Sequence, residues 1–203
     1  MQSRSRKLLF IDFDGTICRD KFWRSLDEEI NRKIQKYLFQ DNKDIVGDWM
    51  RGKYTSEEIN QMVSEATGVV FEELWRAFEK DCKEMSVSQS ILQKILDLRK
   101  GFYIILMTGN MDCFDRFTVP TLRLDNYFDS ISNSYNEGKL KDDNNGELFV
   151  EYAKRHNADL RDAIVIDDSP RVCSTFINLG GKAFQVTPDK GAEYYLAELI
   201  DQI

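Results

Sequence analysis

The chain has 203 residues, is 42% hydrophobic and 31% charged, and carries a formal net charge of −7. That size suits one ordinary domain, or a core with an insertion, and the apolar content is enough to build a core. So acidic a balance excludes a general binder of nucleic acid or anionic membranes, and no apolar run approaches the ~20 residues of a bilayer span.

The basic flank of Arg4, Arg6 and Lys7 precedes an apolar run that stops at Asp12. That run is too short for a signal-peptide core, so a cytoplasmic protein is expected. The four cysteines, Cys18, Cys82, Cys113 and Cys173, lack disulfide or zinc spacing and read as free thiols. The single histidine, His156, leaves no Ser/His/Asp triad to build.

Residues 7–12 read as a strand closed by Asp12-Phe13-Asp14-Gly15-Thr16, a tight exit turn. Residues 22–100 are helical in pattern. Ser25 and Glu28 are spaced as a capping box, and Leu26, Ile30, Ile34 and Leu38 then recur at helical spacing. Ile45, Val46, Trp49 and Met50 predict a short helix ending at Gly52. Thr55 and Glu58 form a second capping box before Ile59, Met62, Val63 and Ala66, with Gly68 as the stop. Phe71, Leu74, Trp75, Phe78 and Cys82 make one stripe, and Ile91, Leu92, Ile95 and Leu98 another; both read as packing faces.

After Gly101 the texture changes. Residues 102–107 are a continuous apolar run, as in a buried parallel strand, and 163–166 are a second; 128–132 and 183–186 are weaker candidates. Helical stretches at 113–124, 147–156, 171–179 and 192–203 lie between and after them. This alternation predicts an α/β fold with a Rossmann-like open parallel sheet. The helical block after the first strand, at roughly 70 residues, exceeds one crossover helix and is expected to be an inserted all-helical cap. The expected division is core over 1–19, cap over 20–90 and core again over 91–203.

Polar clusters follow the core strands: Asp12 and Asp14 after the first, Thr108, Gly109 and Asn110 after the second, Lys139 and Lys141 after the third, Asp167 and Asp168 after the fourth. Ligands of open α/β sheets bind outside the carboxyl ends of the strands, so these clusters should share a crevice. Four carboxylates together repel one another and call for a cation; a hard divalent ion such as Mg²⁺ accepts oxygen ligands and substrate phosphate. A lysine adds positive charge, and a hydroxyl and backbone N–H groups can donate to phosphate oxygens. These parts suit phosphoryl transfer, with one carboxylate as a covalent nucleophile and another as acid and base.

The motifs carry a resemblance. Asp12-Phe13-Asp14-Gly15-Thr16 resembles the first motif of the haloacid dehalogenase superfamily, Ile105-Leu106-Met107-Thr108 the second, the lysine region 138–142 the third, and Ile164-Val165-Ile166-Asp167-Asp168-Ser169 the acidic fourth. The resemblance implies Asp12 as nucleophile, Asp14 as acid/base and donor of a backbone carbonyl to Mg²⁺, and Thr108 as phosphoryl holder. It also implies Asp168 as a direct metal ligand and Asp167 as a ligand, direct or through water. A lysine neutralises the nucleophile. Lys141 is preferred and Lys139 is its rival, because the proline that commonly follows the family lysine is replaced by Asp142.

The position of the insertion resembles the family's C1-capped branch, whose members usually act on small molecules, so the expected partner is a small phosphorylated metabolite, with nucleotides, sugar phosphates and phosphorylated amino acids all open. The expected function is Mg²⁺-dependent hydrolysis of a phosphate monoester, with a phosphomutase or an inactive phosphate- or metal-binding regulator as alternatives. A signalling receiver domain shares the residue types but places its acidic pair after the first strand and has no place for the cap. Gly109 and Asn110 are expected at the substrate. Arg51 and Lys53 are too, on the Gly52 loop between two cap helices; an ordinary solvated turn is the competing reading.

Overall fold

The structure, a computed structural model, describes residues 6–202. Arg4 of the basic flank and Ile203 at the end of the predicted last helix lie outside the described residues. Strand β1 (Lys7–Ile11) is followed by helices α1 (Glu28–Gln35), α2 (Lys43–Trp49), α3 (Ser56–Thr67), α4 (Phe71–Lys83) and α5 (Gln89–Leu98). Then come β2 (Phe102–Thr108), α6 (Val119–Leu122), β3 (Ser130–Asn133), α7 (Ser134–Glu137) and α8 (Glu147–Arg155). The chain closes with β4 (Ile164–Asp167), α9 (Pro170–Asn178), β5 (Lys182–Gln185) and α10 (Ala192–Ile200).

The strands form one five-stranded sheet in the order β3-β2-β1-β4-β5, and each pairing is parallel. This is the Rossmann-like α/β arrangement expected from the sequence. The chain builds outward from β1 in one direction through β2 and β3, then in the other through β4 and β5. The order therefore reverses between β1 and β4, and that reversal leaves a crevice at their carboxyl ends.

Both sheet faces are covered, which is why the strands read as unbroken apolar runs. Leu9, Ile11, Ile104 and Leu106 pack on one face with residues of α5 and α10. Leu8, Phe10, Ile105 and Met107 face the other side and meet Phe149 of α8 and Phe176 of α9. Helices α1 to α4 build a separate core around Trp23, Trp49, Leu74 and Phe78, which also takes in Met111 and Cys113 from the segment after β2. Among the described residues no helix is long and apolar enough to cross a membrane.

Two local expectations need correction. Ser25 and Glu28 do not form a capping box: Asp27 caps α1 by accepting from Glu29 N–H at 2.8 Å, while Ser25 N–H donates to Asp81 of α4. The predicted helix over 113–124 is broken into a π turn at Phe114–Thr118, the short α6 and a 3-10 turn at Leu124–Asn126. Pro120 has no N–H for a regular helical bond, and Arg123 adopts a left-handed conformation (φ 52°).

Elsewhere boundaries shift slightly. Regular pairing of β3 starts at Ser130; just before it, Asp129 N–H donates to Ile104 O while the Asp129 carboxylate accepts from Ile104 N–H and the Arg99 guanidinium. The Thr55–Glu58 capping box and the left-handed Gly68 stop of α3 form as the sequence predicts.

Candidate active site

Asp12 directly follows β1 and extends its ladder, donating its N–H to Ile166 O at 3.0 Å. The chain then folds back sharply: Phe13 O accepts from the N–H groups of Thr16, Ile17 and Cys18. Gly15 has φ +78°, and a Cβ there would lie 2.3 Å from Asp168 Oδ2. The positive φ favours glycine, and a side chain there would also displace the Asp168 carboxylate.

Lys141 knits the two strand ends together. Its Nζ lies 2.7 Å from Asp12 Oδ1 and 2.5 Å from Asp167 Oδ2. All three side chains are buried, and Asp167 is completely so. The second Asp167 oxygen accepts from Ser169 N–H, and Ser169 in turn caps α9. Between the two candidate lysines the geometry is clear: Lys139 points to Glu147 and Glu151 of α8, away from the acidic cluster.

Asp14 lies two residues beyond Asp12 in the same turn. Asn110 Nδ2 donates to Asp14 Oδ2 at 2.6 Å. Asn110 is itself fixed by Ser134, whose hydroxyl accepts from Asn110 N–H and donates to Asn110 O. Asn110, expected to touch substrate, thus positions the second carboxylate, while Gly109 lines the crevice. Thr108 ends β2 fully buried, and its hydroxyl finds no hydrogen-bond partner among the described residues. An unpaired buried hydroxyl costs stability, and a phosphate oxygen would satisfy it.

The electrostatics follow from this crowding. Burial, together with the charge of Asp168, pushes the Asp12 carboxyl up despite Lys141 beside it. Burial and then Asp12 raise Asp14 to about 7; burial and then Asp12 raise Asp167 to about 6. Burial and Asp167 raise Asp168 as well. Burial opposes the Lys141 ammonium, but the Asp12 and Asp167 charges outweigh it and hold the lysine protonated. The site carries more negative charge than one lysine can offset.

Asp12, Asp167 and Asp168 each present a carboxylate oxygen, and these atoms lie within 4.8 Å of one another. Opposite ligands of octahedral Mg²⁺ are about 4.2 Å apart, so this all-oxygen set fits a small hard cation.

The Gly52 loop reaches the core: Gly52 has φ +78°, and a Cβ there would meet Tyr135 O at 2.6 Å. Arg51 makes a bidentate pair with Asp143 at 2.9 and 2.7 Å. Lys53 pairs with Asp48 of α2, the helix that precedes the loop. Neither lines the crevice. Its lining includes Met50, which the sequence pattern marks only as a helix position.

Asp112 is silent in the sequence. It is buried against α2 and α3, accepting from Trp49 Nε1, Ser56 Oγ and Arg116. Trp49 and Ser56 are far away along the chain, and no local pattern marks it.

A family model for haloacid dehalogenase-like hydrolases matches residues 6–180. The chain belongs to that family. No curated protein matches this haloacid dehalogenase-like hydrolase, but many solved structures share its fold. One is the HAD family enzyme bt-2542 of Bacteroides thetaiotaomicron in complex with magnesium and inorganic phosphate; identity is 20%, 90% of this chain and 94% of that chain are covered, and the TM-score is 0.69.

A predicted HAD-like hydrolase of Porphyromonas gingivalis is 19% identical over 96% of this chain and 97% of its own, with TM-score 0.69. The 2-haloacid dehalogenase of Pseudomonas syringae pv. Tomato DC3000 is 15% identical over 97% and 99%, with TM-score 0.67. At these identities the likeness establishes the fold, and the choice among family chemistries falls to the residues of the site.

Proposed function

We propose that this hydrolase removes phosphate from a small phosphorylated metabolite, in a Mg²⁺-dependent reaction that passes through an aspartyl phosphate on Asp12. The observation that carries the reading is the paired placement of Asp12 and Asp14. Asp12 is held by Lys141 at 2.7 Å, and Asp14 is held in the same turn by Asn110 at 2.6 Å. A dehalogenase needs the first carboxylate but has no use for a second one as acid and base. The Bacteroides relative, solved with magnesium and inorganic phosphate, adds support by analogy.

Mg²⁺ would be held by Asp12, Asp168, the Asp14 carbonyl and, directly or through water, Asp167; when bound it supplies positive charge for the phosphate oxygens. The residues of the chain do the rest. An Asp12 oxygen attacks phosphorus, and the ester oxygen departs with a proton from the Asp14 carboxyl. Water then attacks phosphorus, Asp14 takes its proton, and phosphate leaves with the Asp12 carboxylate restored. A carboxyl that titrates near neutrality suits both halves of that cycle. Lys141 keeps Asp12 oriented and offsets charge on the transferred group, and the buried Thr108 hydroxyl donates to it.

In this reading the inserted helices are a C1-type cap that shuts out water and selects the leaving group. Arg51 latches the cap to the core through Asp143, and Lys53 stays on the surface.

The test is phosphate release from 4-nitrophenyl phosphate by the purified chain with Mg²⁺. Release that stops with EDTA and returns with Mg²⁺ is expected. Absence of release from any ester, or full activity after rigorous metal removal, contradicts the reading.

A further inference from the structure

Next to the catalytic crevice lies a second cavity, of about 420 Å³, roofed by the inserted helices. The two cavities share Asp14, Met50 and Gly109 in their walls. The larger one therefore opens from the Asp14 side of the nucleophile. On the proposed phosphatase reading, which this inference rests on, Asp14 protonates the departing oxygen. The leaving group must then extend past Asp14, into this chamber.

The lining is mostly apolar. Phe22, Phe39, Val46, Met50, Met85 and Met111 supply most of it. Methionines are flexible and polarisable, and they fit against flat or irregular apolar groups and against aromatic rings. Polar groups are few. Gln35 offers one amide. Lys21 makes no ion pair among the described residues, but its single ammonium faces two carboxylates in the same chamber, Asp14 and Asp20. One Asp20 oxygen already accepts from Ser86 N–H and Oγ at 2.8 and 2.9 Å. The chamber therefore has no surplus of positive charge for a second phosphate or a carboxylate.

We infer that the substrate is a phosphate monoester of a neutral, largely apolar alcohol, aryl or branched alkyl, whose organic group fills the chamber formed by Phe39, Met50, Met85 and Met111. Sugar phosphates and nucleotides fit poorly. Each hydroxyl carried into this lining without a partner loses its hydrogen bonds to water, a penalty of roughly 5-fold or more in affinity. A second anionic group would meet two carboxylates and one lysine.

Calorimetric titration of the full chain with Mg²⁺ tests this with three non-hydrolysable probes: methylphosphonate, naphthylmethylphosphonate and a polyhydroxyalkyl phosphonate of similar size. The naphthylmethyl compound should bind at least ~10-fold more tightly than methylphosphonate, in line with burial of its ring, and the polyol no more tightly. Phe39→Ser should narrow that gap by weakening the binding of naphthylmethylphosphonate. Equal binding of the three, or tightest binding of the polyol, overturns the inference, and the wild-type comparison decides this even if the variant misfolds.

Hydrolysis of naphthyl, methyl and polyol phosphates, measured alongside, separates the chemistry from the selection. Release from all esters without preference keeps the phosphatase reading and overturns the apolar chamber as selector. Binding preference without phosphate release from any ester overturns the phosphatase reading, and the leaving-group assignment falls with it.

Discussion

The catalytic crevice and the apolar chamber share a wall but are built by opposite means. The crevice is made of charges fixed by backbone: Asp12 and Asp167 stand at the ends of adjacent strands, and Lys141 bridges them. The chamber is made of loosely specified apolar side chains from several segments, with Phe39 on a π turn after α1, Met85 after α4 and Met111 after β2. A charged site needs sub-ångström placement to be worth its desolvation cost, and parallel strands supply it. An apolar pocket needs only volume and dryness, so helices of an insertion suffice. On the proposed reading, chemistry belongs to the sheet and selection to the helices.

The sharpest way to break this division is to remove the nucleophile. Asp12→Asn should lower kcat by on the order of 10⁴-fold or more on every ester, whatever its leaving group. The same variant should still bind naphthylmethylphosphonate. A loss confined to some leaving groups would mean the two regions do not divide the work as described.

Asp14→Asn probes the shared wall. Loss of a general acid costs roughly 10²–10⁴-fold. The loss should be large for alkyl phosphates and much smaller for 4-nitrophenyl phosphate, whose leaving group departs without a proton. Steady-state kinetics on the two esters checks this, and equal losses on both would argue against Asp14 as the acid.

The residues behind these effects differ in how plainly the sequence displays them. The strand ends and their acidic pairs are contiguous letters, so Asp12, Asp14, Asp167 and Asp168 stand out from the chain itself, as does the parallel sheet from its unbroken apolar runs. Between Lys139 and Lys141 the sequence supports only a preference for Lys141; the fold decides, turning Lys141 inward and Lys139 toward Glu147 and Glu151.

The chamber is not legible, because its lining residues look like ordinary helix-packing positions until the helices are placed. Nor is the partner of Arg51. Asp143 is 92 residues away, and a basic loop tip reads equally well as a substrate contact or a solvated turn. The Ser25–Glu28 spacing misleads for a similar reason: Ser25 is committed to Asp81, a contact no local pattern contains.

A smaller effect concerns the metal. The excess of carboxylates in the crevice means that Mg²⁺ should stabilise the native chain. At about 100 times its dissociation constant, linkage gives ~2.7 kcal/mol. Thermal melts across a Mg²⁺ titration check this, and Asp168→Asn should weaken the dependence while leaving the metal-free melt nearly unchanged. Absence of any Mg²⁺ effect would remove the cation from the account.

The smallest effects fall at the Gly52 loop. Arg51→Ala removes the bidentate pair to Asp143 and a bond to Gly47 O. Its side chain is partly exposed, so a loss of about 1 kcal/mol is expected, because solvent screens such pairs. Lys53→Ala should fall within about 0.5 kcal/mol of wild type. If either variant instead lost activity selectively on the best apolar ester, the loop would belong to the chamber and not to the latch.

The claim on which the rest depends is the covalent step at Asp12. Rapid acid quench during turnover of an aryl phosphate, followed by mass spectrometry of the peptide that carries Asp12, tests it directly. The account predicts one phosphoryl group on Asp12 in the wild-type enzyme and none in Asp12→Asn. Steady phosphate release with no phosphoryl group on that peptide at any time point, or wild-type turnover by Asp12→Asn, would contradict it.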